Sequence, residues 1–211
     1  MGHDHAAAAP RNEIVLVRHG ETEWSRSGKH TGRTDVPLTE RGREDAARVA
    51  DALRDRRFEL VLTSPLARAA DTARLAGFGQ VAQARDELRE WDYGAYEGRT
   101  TPDIRKERPG WTLWQDGVPG GETEAEIGAR ADRLIEELRS LGGDALVFAH
   151  GHLLRVLAAR WLGLEPSDGR LFALDPATIS GVGYERETPV IRVWNAPLET
   201  PSPANPKARR T

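Results

Sequence analysis

Three short stretches of this 211-residue chain carry side chains that could act on one another. Arg18-His19-Gly20 stands at the end of the apolar run "EIVLV", Arg68 lies within "SPLARAADTA", and His150-Gly151-His152 follows "ALVFA". Two guanidinium groups can grip a dianion through forked, charge-assisted hydrogen bonds, and phosphate is the dianion that suits them. A neutral imidazole beside it can attack phosphorus. The flanking cations favour that neutral form at pH 7 and offset the charge on the equatorial oxygens in the transition state. Gly20 permits close backbone approach. Arg68, in the first turn of a helix, brings free N–H groups that also favour an anion. Singly, each residue has a plainer reading: a structural Arg-His pair, a surface arginine on an amphipathic helix, a satisfied core histidine. The "HGH" at 150–152 suggests a metal pair, but successive residues on a strand-to-helix bend point apart.

The reading turns on the elements that hold these residues. "EIVLVRH" and "FELVLTS" have strand character, "GQVAQA" is a weaker strand, and "DALVFAH" reads as a strand buried on both faces. Between them lie helical patterns. "LTERGREDAARVADALRDR" sets Ala46, Val49, Ala50 and Leu53 on one face. In "SPLARAADTARLAG", Ser64 is suited to the cap, Pro65 to the first position and Gly77 to the end. "TEAEIGARADRLIEELRSLGG" opens with the Thr123/Glu126 capping box and carries the stripe Ile127, Ala131, Leu134, Leu138 and Leu141. "GHLLRVLAARWLG" is apolar almost all round, and "ISGVGYE" and "VIRVWN" read as a closing strand pair. This alternation predicts a three-layer α/β/α sandwich with a mostly parallel central sheet and an antiparallel edge strand. Such sheets bind ligands at the carboxyl ends of their strands, where Arg18-His19, the turn leading to Arg68, and His150 all fall.

Composition narrows the function. The net charge of −3 speaks against a nucleic-acid or polyanion binder. With no cysteine, disulfides, thiolate metal sites and cysteine nucleophiles are excluded. No apolar run reaches the length of a membrane span, and "MGHDHAAAAP" has no basic segment followed by an apolar core, so no signal peptide is expected. We expect a cytoplasmic protein that binds neither membrane nor nucleic acid. Residues 1–12 read as a flexible leader and 196–211 as a disordered Pro-rich tail. Residues 13–195 read as one domain with a lid-like insertion at about 91–121.

"LVRHGETEW" resembles the signature of the histidine phosphatase superfamily, in its phosphoglycerate-mutase-like branch. Further stretches are similar to that family in the same order: "TGRTDVPLTERGREDA", "SPLARAADTA", "LREWDYGAYEG", "GGET" and "VFAHGHLLRVL". The likeness spans about residues 13–195. It implies a phosphohistidine mechanism with no cofactor and no metal. By resemblance His19 is the nucleophile, Arg18, Arg68 and His150 form the phosphate pocket, and Glu90 protonates the leaving oxygen and then activates water. A carboxyl beside a bound phosphate can carry that proton. The bland reading of Glu90 is a surface charge, with Glu87, Arg89 and Asp92 close by.

The same pocket serves mutases and phosphatases. Thr31-Gly32 and Tyr93 match positions that contact substrate in mutases. The loop from Gly98 to Gly120, however, lacks the adjacent arginine pair and the preceding lysine expected of a mutase. Lys106 and Arg108 are the cations that could substitute for them, but the helical pattern there more simply turns both to solvent. Ser25 stands where the family commonly has Asn, and a hydroxyl can still donate one bond to phosphate. We therefore expect a phosphomonoesterase acting on a small phosphorylated metabolite, a sugar phosphate or similar, with a phosphoglycerate mutase as the alternative. "TEWSRSGKHTGRTD" resembles a subgroup of acid phosphatases and sugar-bisphosphatase-like enzymes. Phosphate contacts are expected from Ser25, Thr31, Gly32 and Gly151, and substrate contacts from Tyr93, Thr123, His152, Trp111 and Trp114. For Trp111 and Trp114 the alternative is loop packing; for Thr123 it is the helix cap alone. Two other classes compete: a metallohydrolase built on His19, His150 and His152, and a catalytically idle binding module. A homodimer is expected only by analogy.

Overall fold

The computed structural model describes residues 12–198. Six strands, β1 (Ile14–Arg18), β2 (Leu60–Thr63), β3 (Gln83–Ala84), β4 (Ala145–Ala149), β5 (Ile179–Glu185) and β6 (Thr188–Ala196), form one sheet in the order β3-β2-β4-β1-β5-β6. Seven α-helices accompany them: α1 (Glu23–Arg26), α2 (Glu40–Leu53), α3 (Ala67–Leu75), α4 (Thr101–Glu107), α5 (Leu113–Asp116), α6 (Glu124–Arg139) and α7 (Gly151–Trp161). β3, β2, β4 and β1 pair in parallel; β5 runs antiparallel to both β1 and β6. The antiparallel strand is thus one in from the edge, and β6, the edge itself, points with the parallel set.

Side-chain alternation divides the sheet into two faces. Ile14, Leu16, Leu62, Val147 and Ala149 pack against Ile127, Ala131 and Leu138 of α6 and Leu153 and Leu157 of α7. Val15, Val17, Val61, Leu146 and Phe148 pack on the other side against Val49 and Leu53 of α2 and Ala73 of α3. That gives the expected three layers. β4, buried along its whole length, sits at the centre, where each buried Leu, Val or Phe contributes about 1.5–3 kcal/mol.

Several boundaries differ from expectation. α3 starts at Ala67 with Leu66 at its N-cap and no side-chain cap bond, so Ser64 and Pro65 lie before the helix. Gly77 does end it, at φ 89°. The segment 91–121, expected as a lid-like insertion, packs onto the core: Trp91, Tyr93, Tyr96, Ile104, Trp111 and Leu113 are buried and continuous with the α6/α7 side. Its rings are too large and too apolar to be left in solvent beside that face. The expected leader and tail lie outside the described residues except at their inner ends. There, Asn12 is buried with its amide donating to the Leu138 carbonyl, Ala196 closes β6, and Leu198 packs on the α2/α3 side.

Candidate active site

Parallel register brings the strand ends together. Arg18 lies opposite Ala149 and Thr63 opposite Phe148. The ladder then runs one step further: the His19 N–H donates to the Ala149 carbonyl at 2.9 Å and the Ser64 N–H to the Phe148 carbonyl at 2.9 Å. His19, Ser64 and His150 therefore emerge side by side, and the His19 and His150 rings are 5.2 Å apart between centroids. The loop that carries His19 is pressed against the start of α2. A Cβ on Gly20 would meet the Gly42 carbonyl oxygen at 2.4 Å, and one on Gly42 would meet the Glu21 carbonyl oxygen at 2.2 Å. Both positions need glycine for that backbone contact.

His19 is buried, with Nδ1 2.7 Å from the Gly20 carbonyl oxygen. A carbonyl only accepts, so Nδ1 carries the proton and Nε2 keeps its lone pair. Burial first, then Arg68 and Arg18, hold the His19 pKa well below the usual imidazole value. The ring is a neutral imidazole of defined tautomer, with its Nε2 lone pair unprotonated.

His150 is fully buried. Its Nδ1 accepts from Arg68 Nε at 3.1 Å, so Nε2 bears the hydrogen and donates to Ser64 Oγ at 2.8 Å. Burial, reinforced by Arg68, keeps this ring neutral as well. Arg68 is equally buried and donates further to the carbonyls of Thr34 at 3.0 Å, Thr31 at 3.0 Å and Gly32 at 2.9 Å. Arg18 donates to the Leu174 carbonyl, while its buried Nε has no hydrogen-bond partner among the described residues. An unmatched guanidinium N–H beside a neutral imidazole is what an anion seat requires. The carbonyls of Arg18 and His19 both accept from the Ala177 N–H at 3.1 Å. Ala177 sits at φ 56°, an uncommon conformation for a residue with a Cβ and one that clusters at functional sites.

Glu90 is buried at the start of α7. One carboxylate oxygen accepts from the N–H groups of Trp91 and Leu153, both at 2.9 Å, and the other from His152 N–H at 3.0 Å. It caps a helix whose own N-cap, His150, makes no side-chain capping bond to the helix. Glu90 lies on the wall of a cavity of about 260 Å³ that also touches Arg18 and His19. Its other side borders a cleft of about 430 Å³ reaching Gly32 and Arg130.

Around the cavity the expected contacts divide. Tyr93 and His152 line it, with the Tyr93 hydroxyl 2.7 Å from His152 Nδ1. Burial raises the tyrosine pKa and lowers that of His152, so the hydroxyl donates. Ser25 and Thr31 also line it, but their hydroxyls are occupied. Ser25 Oγ accepts from Thr22 N–H at 2.9 Å and donates to the Thr22 carbonyl at 3.0 Å; Thr31 Oγ1 donates to the Lys29 carbonyl at 3.1 Å. The Gly32 N–H, expected on phosphate, is held by both Glu97 oxygens, at 2.9 and 3.0 Å. Gly151 serves Arg18 instead: a Cβ there would lie 3.3 Å from the guanidinium carbon. Thr123 is a helix cap, bonded to Glu126 and away from the cavity. Trp111 is core, with its Nε1 on the Gly117 carbonyl at 2.9 Å and its ring edge-on to Tyr96. Trp114 packs on Trp91 and under Arg155, one layer behind the cavity.

The sequence reading did not single out Ser64 as a partner of His150, nor Leu174, Ala177, Gly42, Glu97 or His30. The one signal available for Gly42 was its place in "LTERGRE"; the others act through contacts far apart in the chain. His30 lines the cavity, lies 4.8 Å from the Tyr93 ring, and has its pKa lowered by burial to about 4. Among the described residues no group of three or more His, Asp or Glu side chains is disposed to hold a metal ion.

A neutral histidine flanked by buried arginines, at the carboxyl edge of a parallel sheet, defines a phosphoryl-transfer site of the histidine type. Residues 14–197 match the family profile of the histidine phosphatase superfamily (branch 1), and the chain belongs to that superfamily. It is 41% identical over 180 residues, 82% of this chain and 87% of the relative, to an acid phosphatase of Mycobacterium tuberculosis. It is 40% identical over 183 residues, 71% of this chain and 67% of the relative, to a sedoheptulose 1,7-bisphosphatase of Saccharomyces cerevisiae. The solved structure of an open reading frame product of Mycobacterium tuberculosis aligns with a TM-score of 0.84 at 39% identity, covering 89% of this chain and 99% of that one. The chain is a phosphatase of this superfamily.

Proposed function

We propose that the chain hydrolyses a small phosphorylated metabolite, a sugar phosphate or similar, in the cytoplasm and without a metal, through a phosphohistidine on His19. The observation that carries this is the Nδ1–H bond to the Gly20 carbonyl at 2.7 Å, which leaves Nε2 as the attacking atom beside Arg18. In the first step the Nε2 lone pair forms a bond to phosphorus as the ester P–O bond breaks. Glu90 gives its proton to the departing alcohol oxygen. In the second step water enters, Glu90 takes its proton, and the water oxygen bonds to phosphorus. The N–P bond breaks and inorganic phosphate leaves. Arg18 and Arg68 offset the charge on the transferring group, and His150, fixed between Arg68 and Ser64, offers it a neutral surface. The name of the yeast relative supports a sugar phosphate as substrate. So does the cavity of about 260 Å³, at or below the small end for ligand sites.

Phosphate release from p-nitrophenyl phosphate, sugar mono- and bisphosphates, nucleotides and phosphoglycerates, measured with chelator present and beside a coupled mutase assay, tests this. Release that favours one ester class, undiminished by chelator, is expected. Isomerisation of 3-phosphoglycerate with little phosphate release would make the chain a mutase instead.

A further inference from the structure

The catalytic cavity has a cation at its mouth that the phosphoryl chemistry does not use. Lys29 lines the cavity and is exposed. Its backbone is fixed, with the N–H on the Trp24 carbonyl at 2.9 Å and an antiparallel bridge to Thr100. Its ammonium lies 5.6 Å from the centroid of the Trp24 ring, and among the described residues no carboxylate holds it.

The neighbouring cations are different. Arg26 is paired with Glu23 at 2.5 Å, Arg33 with Asp92 at 2.8 Å, Arg99 with Glu107 at 2.7 Å and Lys106 with Asp103 at 2.7 Å. Arg108 donates to the Tyr96 hydroxyl at 3.2 Å. Lys106 and Arg108, the two cations the sequence offered for gripping the rest of a substrate, are therefore committed elsewhere. The histidines of the cavity are neutral and Glu90 carries no positive charge. A leaving group with its own negative charge would meet Lys29 as its counterion, at a site that already accepts an anion at the other end.

We propose that Lys29 is a specificity residue: it holds a second anionic group, phosphate or carboxylate, on the alcohol part of the substrate. The substrate class is then a small metabolite with a phosphate at the reacting end and a second anion beyond it. This rests on the phosphatase reading above. A point-like ammonium on a flexible stem suits an anion whose distance from the reacting phosphorus varies between substrates.

The test is steady-state kinetics of the full chain, its Lys29→Met and its Lys29→Arg variants, on a hexose bisphosphate, 3-phosphoglycerate and p-nitrophenyl phosphate. Methionine keeps the apolar stem against Trp24 and removes the charge. For the esters with a second anion, Lys29→Met should lower kcat/KM about ten-fold relative to p-nitrophenyl phosphate, through KM, the size of one lost charge-assisted bond. Lys29→Arg should restore most of it, and added salt should narrow the wild-type preference. An unchanged ratio between the two kinds of ester, or an equal loss on all of them, overturns the assignment of Lys29 while wild-type phosphate release leaves the phosphatase reading standing. No wild-type release from any ester would overturn both.

Discussion

At the scale of the residue, the site depends on where protons are not. His19 and His150 are both held neutral by burial and by arginine, and a partner sets the tautomer of each: the Gly20 carbonyl for His19, Arg68 for His150, whose other nitrogen is taken by Ser64. Only His19 is left with a free lone pair facing the cavity. His19→Ala should therefore abolish turnover, by about four orders of magnitude or more, as removal of a covalent nucleophile does. Circular dichroism should show a folded protein, because the alanine leaves the strand ladder through the His19 N–H intact. A variant that keeps most of its activity would remove His19 from the mechanism.

At the scale of the element, two contacts decide whether the residues arrive in place. The first is the backbone seam between the nucleophile loop and α2. Gly42→Ala would push a methyl group onto the Glu21 backbone, 2.2 Å from its oxygen and 2.8 Å from its nitrogen. The loop must shift, and a displaced nucleophile costs on the order of ten- to a hundred-fold in kcat. A drop in melting temperature with kcat preserved would show that the seam serves stability alone. The second is the aromatic packing of 91–121. Trp111 is 2% exposed and lies behind His30, not on the cavity wall. Trp111→Ala should cost about 3–5 kcal/mol in urea unfolding, with activity on every ester falling together. A selective rise of KM for one ester at unchanged stability would instead make Trp111 a substrate contact.

At the scale of the whole molecule, four histidines, three buried and one half-buried, couple the fold to pH. His19, His30, His150 and His152 all have folded pKa values below the ordinary one, His30 at about 4, with burial the largest cause in each. Unfolded, each titrates near pH 6.5. Below that pH the unfolded chain binds protons that the folded chain refuses, so stability is complete above about pH 6.5 and falls as pH drops toward the folded values. The strongly held carboxylate Asp103, at about 2, enters only in more acidic solution. Urea midpoints should decline steadily between pH 7 and 5, and His30→Phe should make that decline shallower. A flat stability over the window would mean that these rings are protonated in the folded protein.

What the sequence determined is the chemistry and its address. The alternation of strands and helices dictates a parallel sheet, whose pleat and right-handed crossovers send Arg18-His19, the turn before Arg68 and His150 to the same edge. Those residues are recognisable because each ends its strand or follows it by only a few residues. The tertiary structure decided which polar groups are free to act. Ser25, Thr31, Gly32 and Thr123 have the right atoms for binding phosphate or substrate, but their hydrogen bonds are already taken, by Thr22, the Lys29 carbonyl, Glu97 and Glu126. Lys29, ordinary in the sequence, is left without a carboxylate among the described residues while its charged neighbours are paired. A hydrogen-bonding group has a fixed number of donors and acceptors, and a partner many residues away can fill them. Residue type and local spacing reveal the capacity to bond; only the packed chain reveals what remains unfilled.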